Sequence, residues 1–379
     1  MGRNIKDKKN RNELITLSIV IVGMLLLPLF YFLPTSLKIA GGKFEKRVCA
    51  FYYMWYGNST VYPNEHPNYD DRWLHWGAHD VGNFDFASAH SPSLLTNDTI
   101  LYDSSDGDTI DFHLQIASDS GINTFITSWW ATRMAGWDGW HDVNFEILLN
   151  RTLALGMDMQ HTVYFETNQE KYSRENSQGV QNMYNDLKYI VDSYANHPKF
   201  LKIYDSTTET YRPVIFVYAT TSKPSVENWT TVVDYLHGNG SNPFLVADVG
   251  VGTIPEDLTD LFDGFHTYNP LGLFRDDPGN ALSKYEELVL SSRINGKLSC
   301  ATTLPGYNDT VIRDPGQYLE RKSGQTYEFS WDVCTKSGAD WILICTFNEW
   351  HEGTDIEPSL DYGSFYMNKT KRFSSIFNS

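Results

Sequence analysis

Residues 347–358 read FNEWHEGTDIEP and place four carboxylates, a histidine and a tryptophan within twelve positions. Acids this close repel one another, so they either point apart or serve chemistry that needs them together. Glu349 and Glu352 are three residues apart. On a continuing strand they would face opposite ways, but on a helical turn their Cβ atoms come within about 5–6 Å. That approaches the roughly 5–5.5 Å between the two carboxyl groups of a retaining glycosidase. Two such acids cannot both ionise easily, so one keeps its proton and can act as a general acid near neutral pH. Two other readings fit the same spacing. One is a solvated polar rim, and the other is a metal site formed by Glu349, His351 and Glu352.

The acids follow WILIC (341–345), a run apolar enough for a buried strand. Seven similar runs precede it, starting at residues 49, 123, 160, 213, 244, 264 and 298. Most lack polar alternation, as strands covered on both faces do. Amphipathic stretches at 108–121, 143–156, 180–198, 226–238, 280–296 and 317–338 fill the gaps, and the gap near 254–262 is short. Eight strands alternating with helices over about 300 residues predict an α/β fold, a (β/α)8 TIM barrel. Catalytic groups of such barrels sit at the C-terminal ends of the strands. Those ends are rich in Trp, Tyr and carboxamides, as a sugar with apolar C–H faces and a rim of hydroxyls requires. Trp129, Trp130, Asn348, Trp350 and His351 are substrate-binding candidates on this ground. The segment 58–107 is rich in turn formers and aromatics, and reads as a substrate loop.

The N-terminus stands apart. Residues 1–13 carry five basic and two acidic side chains, and residues 14–33 contain no charge at all. Twenty apolar residues at about 1.5 Å each span a hydrocarbon core of roughly 30 Å. The expected organisation is a cytoplasmic basic tail (1–13), a transmembrane signal anchor (14–34), a linker (35–47) and the barrel (48–379). A cleaved signal peptide ending near IAGGK (39–43) is the competing reading. The chain's formal charge is −17, so the remainder after the +3 tail carries −20. Such a field argues against nucleic acid and anionic lipid surfaces as partners, and suits a neutral substrate better than an anionic one. Seven Asn-x-Ser/Thr sequons agree with a lumenal or extracellular body. The four cysteines lack CxxC spacing, and Cys49, Cys300 and Cys345 lie in apolar runs as buried thiols would.

The segments FYYMWYGN, RWLHW, QNMYNDLKYIVDSYANHPKF, FDGFHTY, LPGYNDTVIR and TFNEWHEGTDIEP follow in this order through most of the body. Together they resemble glycoside hydrolase family 99, the endo-α-mannosidases. The resemblance implies a barrel that cleaves internal α-mannosidic linkages of a glycan with retention, and that uses no metal or other cofactor. It also implies a single-pass type II protein whose body faces the Golgi lumen. Carried over by motif, Glu352 is the general acid/base. Glu349 is the base on the mannose 2-hydroxyl, which attacks the anomeric carbon to give a 1,2-anhydro sugar. Tyr53, Tyr56, His75, Trp76 and Tyr268 match positions that line the sugar, Arg313 matches a basic residue after the seventh strand, and Glu166 matches the acid of a Glu-Pro pair that reads Glu-Thr here. Asp355 and Glu357 are then left to stabilise the turn. The sequence departs from the family at Ala219-Thr220-Thr221 and at NPLGLFRDDP (269–278), which puts the glycan specificity in question. A hydrolase or transglycosylase for another α-glycan, or a carbohydrate-binding protein without turnover, are the alternatives. Retention of both Glu349 and Glu352 argues against the last.

Overall fold

The computed structural model describes residues 44–57, 76–78, 83–86, 90, 93 and 101–379 apart from 207. Eight strands form the centre: β1 Arg47–Tyr52, β2 Thr124–Trp129, β3 Gln160–Glu166, β4 Thr210–Tyr218, β5 Phe244–Asp248, β6 Gly264–His266, β7 Leu298–Thr303 and β8 Trp341–Ile344. Every neighbouring pair runs parallel. The ring closes where Cys49 of β1 meets Leu343 of β8 and Tyr164 of β3 meets Phe216 of β4. The eight apolar runs are these eight strands.

Around them lie α1 Gly107–Asp119, α2 Trp140–Ala154, α3 Gly179–Tyr194, α4 Val226–Gly238, α5 Glu256–Thr259, α6 Ala281–Ile294, α7 Gln325–Ser337 and α8 Phe365–Asn378. Local chemistry sets their starts. The Asp106 carboxylate accepts from the Thr109 N–H at the head of α1. Ser225 and Asn228 form a reciprocal capping box on α4. The only gap read as short carries a single helical turn, α5. The C-terminal helix packs back on the barrel: Ser374 Oγ donates to Ser120 O at 2.8 Å, and the Phe373 ring stacks on Trp331.

Alternation along β1 separates two environments. Phe51 points inward, where it meets Tyr164 (ring centroids 4.7 Å), Tyr268 (4.9 Å) and His266 (5.9 Å). Its neighbour Tyr52 points outward, stacks on Phe125 and bonds His113 of α1 at 2.8 Å. The barrel interior is thus filled with rings, a packed core that forms a floor under the C-terminal rim. All four cysteines are buried free thiols.

The basic tail, the apolar segment 14–34, the linker up to residue 43 and most of the 58–107 segment lie outside the described residues. Among the described residues no helix is long and apolar enough to cross a membrane.

Candidate active site

The chain leaves β8 and turns at once. Phe347 N–H donates to Phe51 O at 2.9 Å, and the Asn348 side chain adds one more rung to the β1–β8 seam. Its Oδ1 accepts from Tyr53 N at 2.8 Å while its Nδ2 donates to Tyr53 O at 2.9 Å. Only a carboxamide offers both a donor and an acceptor in that geometry. A turn closed by Gly353 N to Trp350 O at 3.2 Å then carries Glu349 and Glu352. Gly353 has φ +57° and lies against Asn308, whose backbone would stand 3.1 Å from any Cβ. The last residue of HEG must therefore be glycine.

Glu349 is buried, with 5% of its side chain exposed, and Glu352 retains 17%. Burial pushes the Glu349 carboxyl well above its ordinary value and the charge of Glu352 pushes it further, against the His351 N–H that reaches its Oε1 at 3.1 Å. Burial also raises Glu352, against the Arg313 guanidinium, whose Nη1 lies 3.1 Å from Oε1. The two acids are therefore mutually coupled but differently partnered. Tyr53 and Tyr268, nearly buried, join hydroxyl to hydroxyl beside them, and both sense the charges of Glu349 and Glu352. Cys345 lies beneath, hydrogen-bonded to Tyr268.

A third acid faces the same space. Glu166, at the end of β3, accepts from Ser128 Oγ at 2.8 Å, and that hydroxyl in turn accepts from Trp130 Nε1 at 3.0 Å. Burial drives the Glu166 carboxyl to about 8, helped by the charges of Asp248 and Glu352. Next to Tyr268 a cavity of about 500 Å³ opens between the ends of β4, β5 and β6. Ala219, Thr220, Thr221 and Asn269, where the sequence departs from the family pattern, line it.

The other two acids of the turn face away from this cleft. Asp355 Oδ1 takes His90 Nδ1 at 2.8 Å and Arg321 Nη2 at 3.1 Å. Burial alone would raise this carboxyl, yet His90 and Arg321 bring it below the usual carboxylate value. Glu357 binds His113 Nε2 and the Tyr102 hydroxyl, each at 2.8 Å. Both stabilise the turn, as expected of them.

Several expected substrate contacts are corrected. Trp129 points outward and donates Nε1 to Asp142 of α2 at 3.0 Å, because on β2 it alternates with inward-facing Ser128. Tyr56, Trp76, Asn348 and Trp350 are all at most 1% exposed and lie one layer beneath the cleft. Tyr56 Oη donates to Asn348 O at 3.0 Å, Trp76 stacks on Tyr56, and Trp350 Nε1 donates to the Tyr102 hydroxyl at 3.2 Å. They hold the turn that carries Glu349 and Glu352 and have no face left for a sugar. His75 lies outside the described residues. Tyr53, Glu166, Tyr268, Arg313 and His351 do gather around Glu349 and Glu352, with His351 Nδ1 3.6 Å from Glu349 Oε1, and Trp130 reaches Glu166 through Ser128. Among the described residues no three His, Cys, Asp or Glu side chains are grouped as a metal ion would need.

Sequence reasoning missed Tyr307 and Asp309, which flank Arg313, and the His90, Arg321, His113 and Tyr102 partners of the turn. The first two had a signal. Asp309 and Arg313 stand four apart in YNDTVIR, the spacing of a local ion pair, and Nη1 indeed meets Asp309 Oδ2 at 2.6 Å.

Comparison with known proteins places this architecture. The Mus musculus glycoprotein endo-alpha-1,2-mannosidase is 26% identical over 366 residues, which span 87% of this chain and 74% of the mouse protein. A Danio rerio glycoprotein endo-alpha-1,2-mannosidase-like protein is 25% identical over 86% of this chain and 77% of its own. In fold, the structure of the GH99 endo-alpha-mannosidase from Bacteroides thetaiotaomicron matches with a TM-score of 0.68 at 24% identity, covering 87% of this chain and 97% of that one. The model of glycosyl hydrolase family 99 matches residues 43–365, from just before β1 to the first residue of α8. A barrel whose last strand delivers two coupled glutamates into an aromatic cleft is thus accounted for by descent as well as by geometry: the chain is a glycoside hydrolase and belongs to glycosyl hydrolase family 99.

Proposed function

We propose that this protein hydrolyses internal α-mannosidic linkages of a neutral glycan with retention of configuration, through a 1,2-anhydro sugar. The observation that carries this reading is the pair Glu349 and Glu352 on one turn after the last strand, both largely buried, with the His351 N–H on the first and Arg313 on the second. The similarity to proteins named endo-alpha-1,2-mannosidase supplies the sugar.

In the first half-reaction Glu349 removes the proton of the mannose 2-hydroxyl and O2 forms a bond to C1. The bond from C1 to the leaving oxygen breaks, and Glu352 protonates that oxygen. In the second, water attacks C1 and gives a proton to Glu352, while the C1–O2 bond breaks and O2 recovers its proton from Glu349. The proton count closes over the two steps. Two inversions at C1 give net retention.

Burial favours a proton on either acid, and this chemistry begins with one on Glu352. Substrate sets that preference. A hydroxyl against Glu349 has a proton to donate and stabilises the anion, while a glycosidic oxygen against Glu352 can only accept and stabilises the acid. Tyr53, Trp130 and Tyr268 supply rings for the sugar faces, and the cavity at the ends of β4–β6 leaves room for flanking residues of the glycan. The apolar segment 14–34 is proposed to anchor the body to a membrane as a single-pass type II protein, on the ground of its length and basic flank.

The test is to incubate full-length protein in detergent with a panel of α-mannosides and glucosylated high-mannose glycans. Product masses and the anomer first formed are read by mass spectrometry and NMR. An oligosaccharide product released in the α configuration supports the reading. Release of the β anomer, or of single mannose residues only, overturns it.

A further inference from the structure

Arg313 is half exposed, yet one nitrogen of its guanidinium serves three partners. Nη1 contacts Asp309 Oδ2 at 2.6 Å, Tyr307 Oη at 3.0 Å and Glu352 Oε1 at 3.1 Å. Asp309 is fully buried, and it also accepts from the Tyr307 hydroxyl at 3.1 Å and from the Gln317 N–H. The position of Asp309 is therefore fixed, and its charge lies permanently against the guanidinium. Glu352 meets the same nitrogen of that cation, and its main chain is tied to this loop as well, with Asn308 N–H donating to Glu352 O at 2.7 Å.

An unopposed arginine here would hold Glu352 as a carboxylate and defeat it as an acid. No arginine at all would leave a buried carboxylate that accepts a proton readily and is slow to part with it. We infer that Asp309 and Arg313 act as a charge balance on Glu352: Arg313 steadies its anion, and Asp309 limits that attraction, so that one carboxyl serves as acid in one half-reaction and as base in the other. The inference rests on the reading of Glu352 as the acid/base. Arg313 is then a positioning residue for the reaction, in place of the sugar contact read from its motif. Among the described residues, the other titratable groups near Glu352 include Glu349, His351 and Cys345 after β8, Glu166 on β3, Tyr218 on β4, Tyr268 after β6, and Tyr53 after β1. Among the described residues, Arg313 is the one Arg or Lys in contact with the Glu352 carboxyl.

The two neighbours should displace the titration of Glu352 in opposite directions. The substrate is a glucosylated high-mannose glycan with its own sugar leaving group, so that protonation by Glu352 matters. Activity as kcat/KM falls as pH rises through the titration of the acid. Arg313→Met withdraws the cation, and the alkaline limb should move up by about one pH unit or more. Asp309→Asn releases the full attraction of Arg313 onto Glu352 while its one carbonyl oxygen still accepts from the Gln317 N–H, and the limb should move down. Arg313→Lys should hold the limb near wild type. A merely structural role would lower activity without opposite displacements. Limbs that move the same way, or not at all, overturn the inference. The carboxyl carbon of Glu352, followed by NMR in the Glu349→Gln background, gives the same comparison without turnover. Should the limb persist in Glu352→Gln, Glu352 is not the acid and the inference falls with that reading. A limb lost in Glu352→Gln but unmoved at Arg313 and Asp309 overturns the inference alone.

Discussion

Glu166 should make the folded protein less stable as pH rises, and replacing it by glutamine should remove that dependence. Its carboxyl is 4% exposed, and burial carries it from 4.5 to about 8. The unfolded chain loses this proton near pH 4.5, while the folded protein keeps it until about pH 8. Between these values folding takes up one proton, so stability falls as pH rises through the window and levels off above it. At about 1.4 kcal/mol per pH unit, the gap amounts to about 5 kcal/mol at its upper limit. Glutamine does not ionise, and its carbonyl still accepts from Ser128 Oγ. Glu166→Gln should therefore differ little from wild type at pH 4.5 and be several kcal/mol more stable at pH 8. Urea unfolding of both proteins, followed by tryptophan fluorescence across this range, reads the difference directly. Other titrating groups cancel in the comparison. A difference that stays constant from pH 4.5 to pH 8 would refute the claim that the folded protein keeps this proton.

Loss of the acid should depend on the leaving group. Glu352→Gln should lose roughly 10²–10⁴-fold on a sugar leaving group and recover much of the first step with an activated aryl mannoside, whereas Glu349→Gln should not recover. Covalent labelling of Glu349 by a 2-fluoro mannoside would instead make it the nucleophile. Glu357→Gln places an amide where a fully buried carboxyl meets His113 Nε2 and the Tyr102 hydroxyl, and should destabilise by about 1–3 kcal/mol in denaturant melts; an unchanged midpoint would mean that these contacts do not hold the turn. Carbonate extraction should leave the full-length protein in the membrane, with the body open to protease only from the lumenal or outer side. A mature chain starting near residue 40 would show a cleaved signal peptide instead.

The barrel was legible because parallel strands buried on both faces read as apolar runs, and most of the eight here lack polar alternation. The pairing of Glu349 and Glu352 was legible because acids directly after a buried strand need a reason to be there. What each aromatic does was less legible. Sequence marks Trp129 and Trp130 as equivalent, but strand alternation sends the first to Asp142 on α2 and the second toward Glu166. Applied to the strand ends, the same two-residue period would have removed Trp129 in advance. No such rule was available for Tyr56 and Trp350, whose burial follows from Asn348 and Tyr102 meeting across more than 240 positions of chain. His113 and Arg321 carried no local signal either, since their partners are distant in sequence and become neighbours only when the ring closes between β1 and β8.

The four acids of the turn divide the work by environment. A buried carboxylate pair such as Glu349 and Glu352 gains free energy by swinging out to water, and doing so would return both to ordinary acidity and end proton donation. Asp355 and Glu357 oppose that motion. Arg321, from the loop before α7, and His90 hold the first, while His113, from α1, and Tyr102 hold the second, so the turn is tied on both sides of β8. Buried ion pairs of this kind contribute little net stability, because desolvation offsets the attraction. What they fix is geometry. The motif therefore needs four acids: two whose charge is satisfied, so that the turn cannot move, and two whose charge is left unsettled, so that the substrate can decide where the proton goes.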